Sequence, residues 1–75
     1  MNKERRKEID NILERLNDIK DEIDCVSNDE EEAFENLPEG LQGSEKGEAM
    51  QTSLSALYTA SESIDEALSE LEEAQ

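Results

Sequence analysis

The sequence predicts an all-α protein: an antiparallel two-helix hairpin of the coiled-coil type, paired with a second copy into a dimeric four-helix bundle. Three observations predict it. Ile9, Ile12, Leu16, Ile19, Ile23 and Val26 recur at alternating intervals of three and four residues, the spacing of a coiled-coil seam. Met50, Leu54, Leu57, Ser61, Ile64, Leu68 and Leu71 repeat that rhythm in the second half. Between the two stretches, Pro38-Glu39-Gly40 reads as a turn, because Pro has no amide hydrogen and fixes its φ while Gly bends freely.

The first helix is expected over about residues 3–36. In heptad letters, Ile9, Leu16 and Ile23 take position a, and Ile12, Ile19 and Val26 take position d. Leu13 and Phe34 fall at e and broaden the stripe. After Val26 the seam weakens, with Glu30 at a and Ala33 at d. Ser27 followed by Glu30 has the spacing of a capping box. It reads either as a hinge or as polar residues on the exposed side of an unbroken helix. Cys25 falls at position c, on the outer side. Its acidic neighbour Asp24 disfavours a thiolate, so it is read as an incidental exposed thiol.

The turn is expected over about residues 37–44. Ser44 is a good N-cap, and Glu45 and Glu48 place negative charge in the first turn, where the helix dipole favours it. The second helix is expected over about residues 45–74. A row of small residues, Ser53, Ala60, Ala67 and Ala74, runs beside its seam at seven-residue intervals. The period lies nearer 3.5 than 3.6, which predicts a shallow left-handed supercoil. Tyr58 stands at the shoulder of the seam as a packing residue or an interface anchor. A short loop between long helices makes them antiparallel neighbours, and thirty helical residues span about 45 Å. The expected shape is a rod. Each stripe is wider than one neighbouring helix covers, which is the ground for expecting a homodimer.

Composition narrows the function classes. The chain has 75 residues, 22 acidic and 7 basic, for a formal charge of −15. That length holds one domain, residues 1–75. High charge and few aromatics are also the composition of a disordered chain, but the sustained heptad spacing argues for helices. There is no His and one Cys, so the usual zinc sites and His-dependent nucleophilic catalysis cannot be assembled within one chain. An EF-hand loop is absent, because the acidic run has helical spacing and lacks the required Gly. A narrow rod offers no dry cleft for paired carboxylates to work as acid and base. No enzyme activity and no cofactor are expected. No apolar run reaches the roughly 20 residues needed to cross a bilayer, and no apolar segment of the secretory type follows the basic start. The expectation is a cytoplasmic protein.

The charge is unevenly placed. Residues 1–20 hold six basic and five acidic side chains, and residues 21–75 hold one basic and 17 acidic. The basic start Lys3-Glu4-Arg5-Arg6-Lys7 is expected to pair with Glu66, Glu70, Glu72 and Glu73 at the end of an antiparallel second helix. Direct nucleic-acid binding is not expected, since the rest of the rod would repel phosphates. The densest acidic stretch comprises Asp29, Glu30, Glu31, Glu32 and Glu35, with Glu39 in the turn. It reads as a solvated face or as a docking surface for a basic protein. The charge exceeds what solubility requires, and carboxylates strung along a rod can occupy a site that normally takes phosphates.

The leading expectation is therefore a non-enzymatic acidic module that binds a protein with a basic surface, through Asp29, Glu30, Glu31, Glu32, Glu35 and Glu39. The alternative is a structural or assembly coiled coil acting through its apolar seam: Ile9, Ile12, Leu16, Ile19, Ile23, Leu54, Leu57, Ile64, Leu68 and Leu71.

Arg5-Arg6-Lys7, the turn segment from Asn36 to Glu45, and the Ala- and Glu-rich repeat over residues 64–74 together resemble a known layout. Short acidic helical-hairpin proteins of unknown function, encoded by phages and prophages of Gram-positive bacteria, are similar over nearly the whole chain. The turn segment is the most specific part. The resemblance implies a cytoplasmic accessory protein in a bacterial host, with a host defence factor or a nucleic-acid-handling enzyme as target. It carries over no catalytic residue.

Overall fold

In the computed structural model, which describes residues 1–75, the chain is all-helical. Helix α1 spans Lys3–Glu35, α2 spans Glu39–Gln42 and α3 spans Glu45–Ala74. Asn2 starts α1: its side chain accepts from the Arg5 amide at 2.8 Å, satisfying one of the donors left open at a helix start. The helix then runs unbroken through Ser27–Glu30, so no hinge forms there. Ser27 is not on the outside, however. It is buried, at 3% exposure.

The connector departs from the irregular turn expected over residues 37–44, because it contains the four-residue helix α2. Pro38 sits at its N-cap with φ −55°, and its carbonyl accepts from the Leu41 amide at 2.8 Å. Gln42 ties this piece to α1. Its side-chain amide donates to the Phe34 and Leu37 carbonyls at 3.5 and 3.3 Å, and the Phe34 carbonyl also accepts from the Leu37 amide at 3.1 Å. Ser44 caps α3 as expected, accepting from the Gly47 amide at 3.4 Å, and its hydroxyl donates to the Leu41 carbonyl. Gly47 is buried where α2 crosses the first turn of α3. A Cβ there would lie 2.0 Å from the Gln42 carbonyl oxygen and 2.5 Å from its carbon.

From the connector α3 returns along α1 in the opposite direction. Glu31 meets Tyr58, Asp24 meets Ser61, Lys20 meets Asp65 and Asp10 meets Gln75. The molecule measures 58 × 15 × 11 Å, with a radius of gyration of 17.2 Å. A compact domain of this length would have a radius of about 11 Å, so the elongation is large.

On α3 the contact follows the expected seam, with Leu54 buried and Met50, Leu57, Ser61, Ile64, Leu68 and Leu71 half-buried. On α1 it is turned relative to expectation. The residues drawn in are Leu13, Leu16, Lys20, Ile23, Ser27, Glu30, Phe34 and Leu37, which again alternate by three and four. Ile9 and Ile12 are half-buried, while Ile19 and Val26 stand outside the contact at 44% and 54% exposure. The assignment of Ile19 and Val26 to the seam between the two helices is thus corrected. The e column replaces the d column. At the connector end this exchanges Ala33 for Phe34 beside α2, which favours the turn; midway it exchanges Ile19 and Val26 for Ser27 and for Lys20, which pairs across the contact with Asp65.

The charges of α1 run against its own dipole. Lys3, Arg5, Arg6 and Lys7 crowd the N-terminal end, while the last turn carries Glu32 and Glu35 and no basic residue. Each such misplaced charge costs about 0.3–1 kcal/mol at low ionic strength.

Candidate functional site

The acidic stretch lies at the connector end of the rod. Asp29, Glu31, Glu32 and Glu35 are exposed on α1, and Glu39 is exposed on α2. Glu30 differs from the others: it is half-buried at the edge of the contact with α3, where burial limits its use by a partner. Glu31 accepts a hydrogen bond from the Tyr58 hydroxyl at 3.1 Å. That bond explains why Tyr58, 46% exposed, holds its place beside the seam. Its hydroxyl is tied to a carboxylate on α1.

None of the carboxylates in this stretch is neutralised. Among the seven basic side chains, Lys20 alone forms ion pairs, with Asp24 at 3.4 Å and Asp65 at 3.7 Å. The expected pairing of the basic start with Glu66, Glu70, Glu72 and Glu73 does not form within 4 Å. The Gln75 side chain lies there instead, donating to the Asp10 carboxylate and, at 3.5 Å, to the Arg6 carbonyl. The basic start thus shares its end of the rod with Glu66, Glu70, Glu72 and Glu73 without pairing to them, and the acidic stretch at the other end has no cation.

Midway along the rod is a polar layer that the heptad reading passed over. Asp24 accepts from the Ser61 hydroxyl at 2.9 Å and from Lys20 at 3.4 Å, and Lys20 reaches across to Asp65. The buried Ser27 hydroxyl has no partner. The signal for this layer was present in the sequence. Lys20 and Ser27 occupy the e column between Leu13 and Phe34, and Ser61 interrupts an otherwise aliphatic run on α3. Polar residues at such positions fix register at a cost in stability.

Two groups titrate above their ordinary range. Lys20 is raised above 10.5, first by its hydrogen bond to Asp24 and then by the charges of Asp24 and Asp65. Tyr58 is raised above 10.0, first by partial desolvation and then by its bond to Glu31. In both cases the folded state favours the protonated form. Their contribution to stability is complete below the ordinary values and is lost as pH rises through the folded ones. The melting temperature should thus stay level from neutral pH to about 9.5 and fall above it. A thermal-melt series from neutral to strongly alkaline buffer checks this. A Lys20→Gln/Tyr58→Phe double variant should show a shallower alkaline fall, and an identical fall would remove these groups as its cause.

The surface has no enclosed cavity. Its two shallow depressions are lined almost entirely by polar side chains, one by Ser63, Asp65, Glu66, Ser69 and Glu70 with Ala67, the other by Glu4, Lys7, Glu8 and Asn11. No three carboxylate or thiol groups converge to hold a metal ion. Cys25 is exposed and free. No helix is long and apolar enough to cross a membrane. Comparison with known proteins finds no matching family, no similar curated protein and no similar solved structure.

Proposed function

We propose that this chain is a non-enzymatic acidic binding module. It is a coiled-coil hairpin, paired with a second copy, that presents Asp29, Glu31, Glu32, Glu35 and Glu39 to a basic surface on another protein and blocks or redirects that protein. One observation carries the reading: the acidic stretch is solvent-facing and has no cation of its own. A net charge of −15 on so thin a rod produces a strong negative field, which steers a basic partner toward it and repels nucleic acid. The likeness of residues 5–7, 36–45 and 64–74 to phage- and prophage-encoded acidic hairpins supports a bacterial cytoplasmic setting. In that setting the target is a host defence factor or a nucleic-acid-handling enzyme.

The test uses the tagged protein and a lysate of a Gram-positive host, washed at low and at high salt. A basic protein should be retained at low salt and released at high salt, since exposed charge pairs are screened within about 8–10 Å at ordinary ionic strength. Glu32→Lys/Glu35→Lys leaves every side-chain bond between the helices in place. It should weaken capture on the order of 10–100-fold with helicity unchanged. Undiminished capture by that variant would refute the acidic-face reading.

A second reading has its own support. The exposed Ile19 and Val26 favour an assembly role through apolar surface. Leu57→Glu and Ile64→Glu should then abolish function while the acid reversals remain silent.

A further inference from the structure

The outer side of α1 carries a column that α3 covers only in part, at the half-buried Ile12. Arg5, Ile12, Ile19, Val26 and Ala33 follow one another at seven-residue intervals. Ile19 and Val26 are 44% and 54% exposed. The column is symmetric about Ile19, with Ile12 and Val26 one heptad away on either side and Arg5 and Ala33 two heptads away. The side chains flanking the column are Glu8, Arg15, Glu22 and Asp29, also seven residues apart and all exposed. Turned end for end about Ile19, the apolar column falls on itself and Arg15 comes beside Glu22.

We infer that this face is a self-docking surface, on which a second copy of the chain packs antiparallel, α1 against α1, about a two-fold axis at Ile19. Ile12 of each copy lies against Val26 of the other. Arg5 of each reaches Asp29 of the other and Arg15 reaches Glu22, while Glu31, Glu32 and Glu35 lie on other sides of α1, clear of the contact. The inference rests on the proposed pairing of two copies and supplies its face, direction and register.

Two features favour this occupant. Arg5 and Arg15 have no ion-pair partner within their own chain, and the second copy supplies Asp29 and Glu22. The exposed surface is 5671 Å², about 1,000 Å² more than a compact monomer of this mass presents. That excess is comparable with the roughly 800 Å² that each partner contributes to a standard interface. A parallel arrangement would set basic start against basic start and acidic end against acidic end. In the antiparallel one the main like-charge approach is Glu8 to Asp29, and Arg5 lies between them.

Sedimentation of the full chain at micromolar concentration should give the mass of two copies. Ile19→Glu should give the mass of one, with the helical circular dichroism retained. Orientation is read by cross-linking in a Cys25→Ser background. Ile12→Cys and Val26→Cys should each fail to form a disulfide-linked dimer alone, because like positions lie about 21 Å apart along the axis, well beyond disulfide reach. Mixed under oxidant, the two variants should cross-link to each other. Self-linking of either variant alone would overturn the antiparallel register while leaving pairing intact. A dimer that survives Ile19→Glu would overturn the face. One-copy mass for the unaltered chain at every concentration would overturn the pairing itself. The acidic-face reading is judged separately by the Glu32→Lys/Glu35→Lys capture.

Discussion

Gly47→Ala should lower the melting temperature by roughly 4–24 °C. The estimate takes an overpacking cost of about 1–3 kcal/mol and about 4–8 °C per kcal/mol for a domain of this size. Two effects compete at this position. Alanine improves helix propensity by about 1 kcal/mol over glycine, which favours the variant. Its Cβ would sit 2.0 Å from the Gln42 carbonyl oxygen and 2.7 Å from that of Leu41, and these are backbone atoms with no rotamer to change. The clash wins, because relieving it moves α2 off the start of α3. That movement takes Gln42 away from the Phe34 and Leu37 carbonyls it satisfies. Gly40→Ala and Gly43→Ala provide the contrast, since a Cβ at either meets nothing within 4 Å. Both should be neutral or slightly stabilising. A melting temperature for Gly47→Ala equal to or above that of the unaltered chain would mean that α2 is not seated on α3.

Leu54→Ala should cost about 2–3 kcal/mol, the low end of the range for buried leucines, because a thin rod lets water fill part of the space. Leu54 is the most deeply buried apolar side chain, at 8% exposure. The urea midpoint should drop while the slope of the transition is retained. Leu41→Ala removes the same atoms from a site 46% exposed and should cost under about 1 kcal/mol. Equal losses for the two would show that the seam next to the connector is not the stabilising centre.

The all-helical architecture, the extent of the two long helices and the Ser44 cap were legible in the sequence, because heptad spacing and capping chemistry are local. The face that α1 turns toward α3 was not. The a column is shared by two possible seams, one with d and one with e, and both alternate by three and four residues. The choice between them depends on how Phe34 meets the connector and how Lys20 meets Asp65, which are long-range facts. Gly47 was overlooked for a related reason. A glycine in the first turn of a helix is a weak signal until the piece of chain crossing it is known. In the candidate site, exposure of Asp29, Glu31, Glu32, Glu35 and Glu39 followed from the heptad position of the α1 acids and from the turn. Glu30 occupies the a position shared by both seams, so its half-burial follows from the same register although it was grouped with the exposed acids. The pairing assigned to the basic start rested on helix direction alone, without side-chain register, and Gln75 occupies that end instead.

The pairing of Asp10 with Gln75 places residues from the two ends of the chain at the same end of the rod. Tension applied through those ends would act across the seam and not along it. Each layer would carry the load alone, beginning at Asp10–Gln75 and passing through Lys20–Asp65 and Asp24–Ser61 to Glu31–Tyr58, with the Gln42 tether yielding last. Mechanically the molecule is a zipper: weak to peeling, and far more resistant to forces that slide one helix past the other, which must break every layer together.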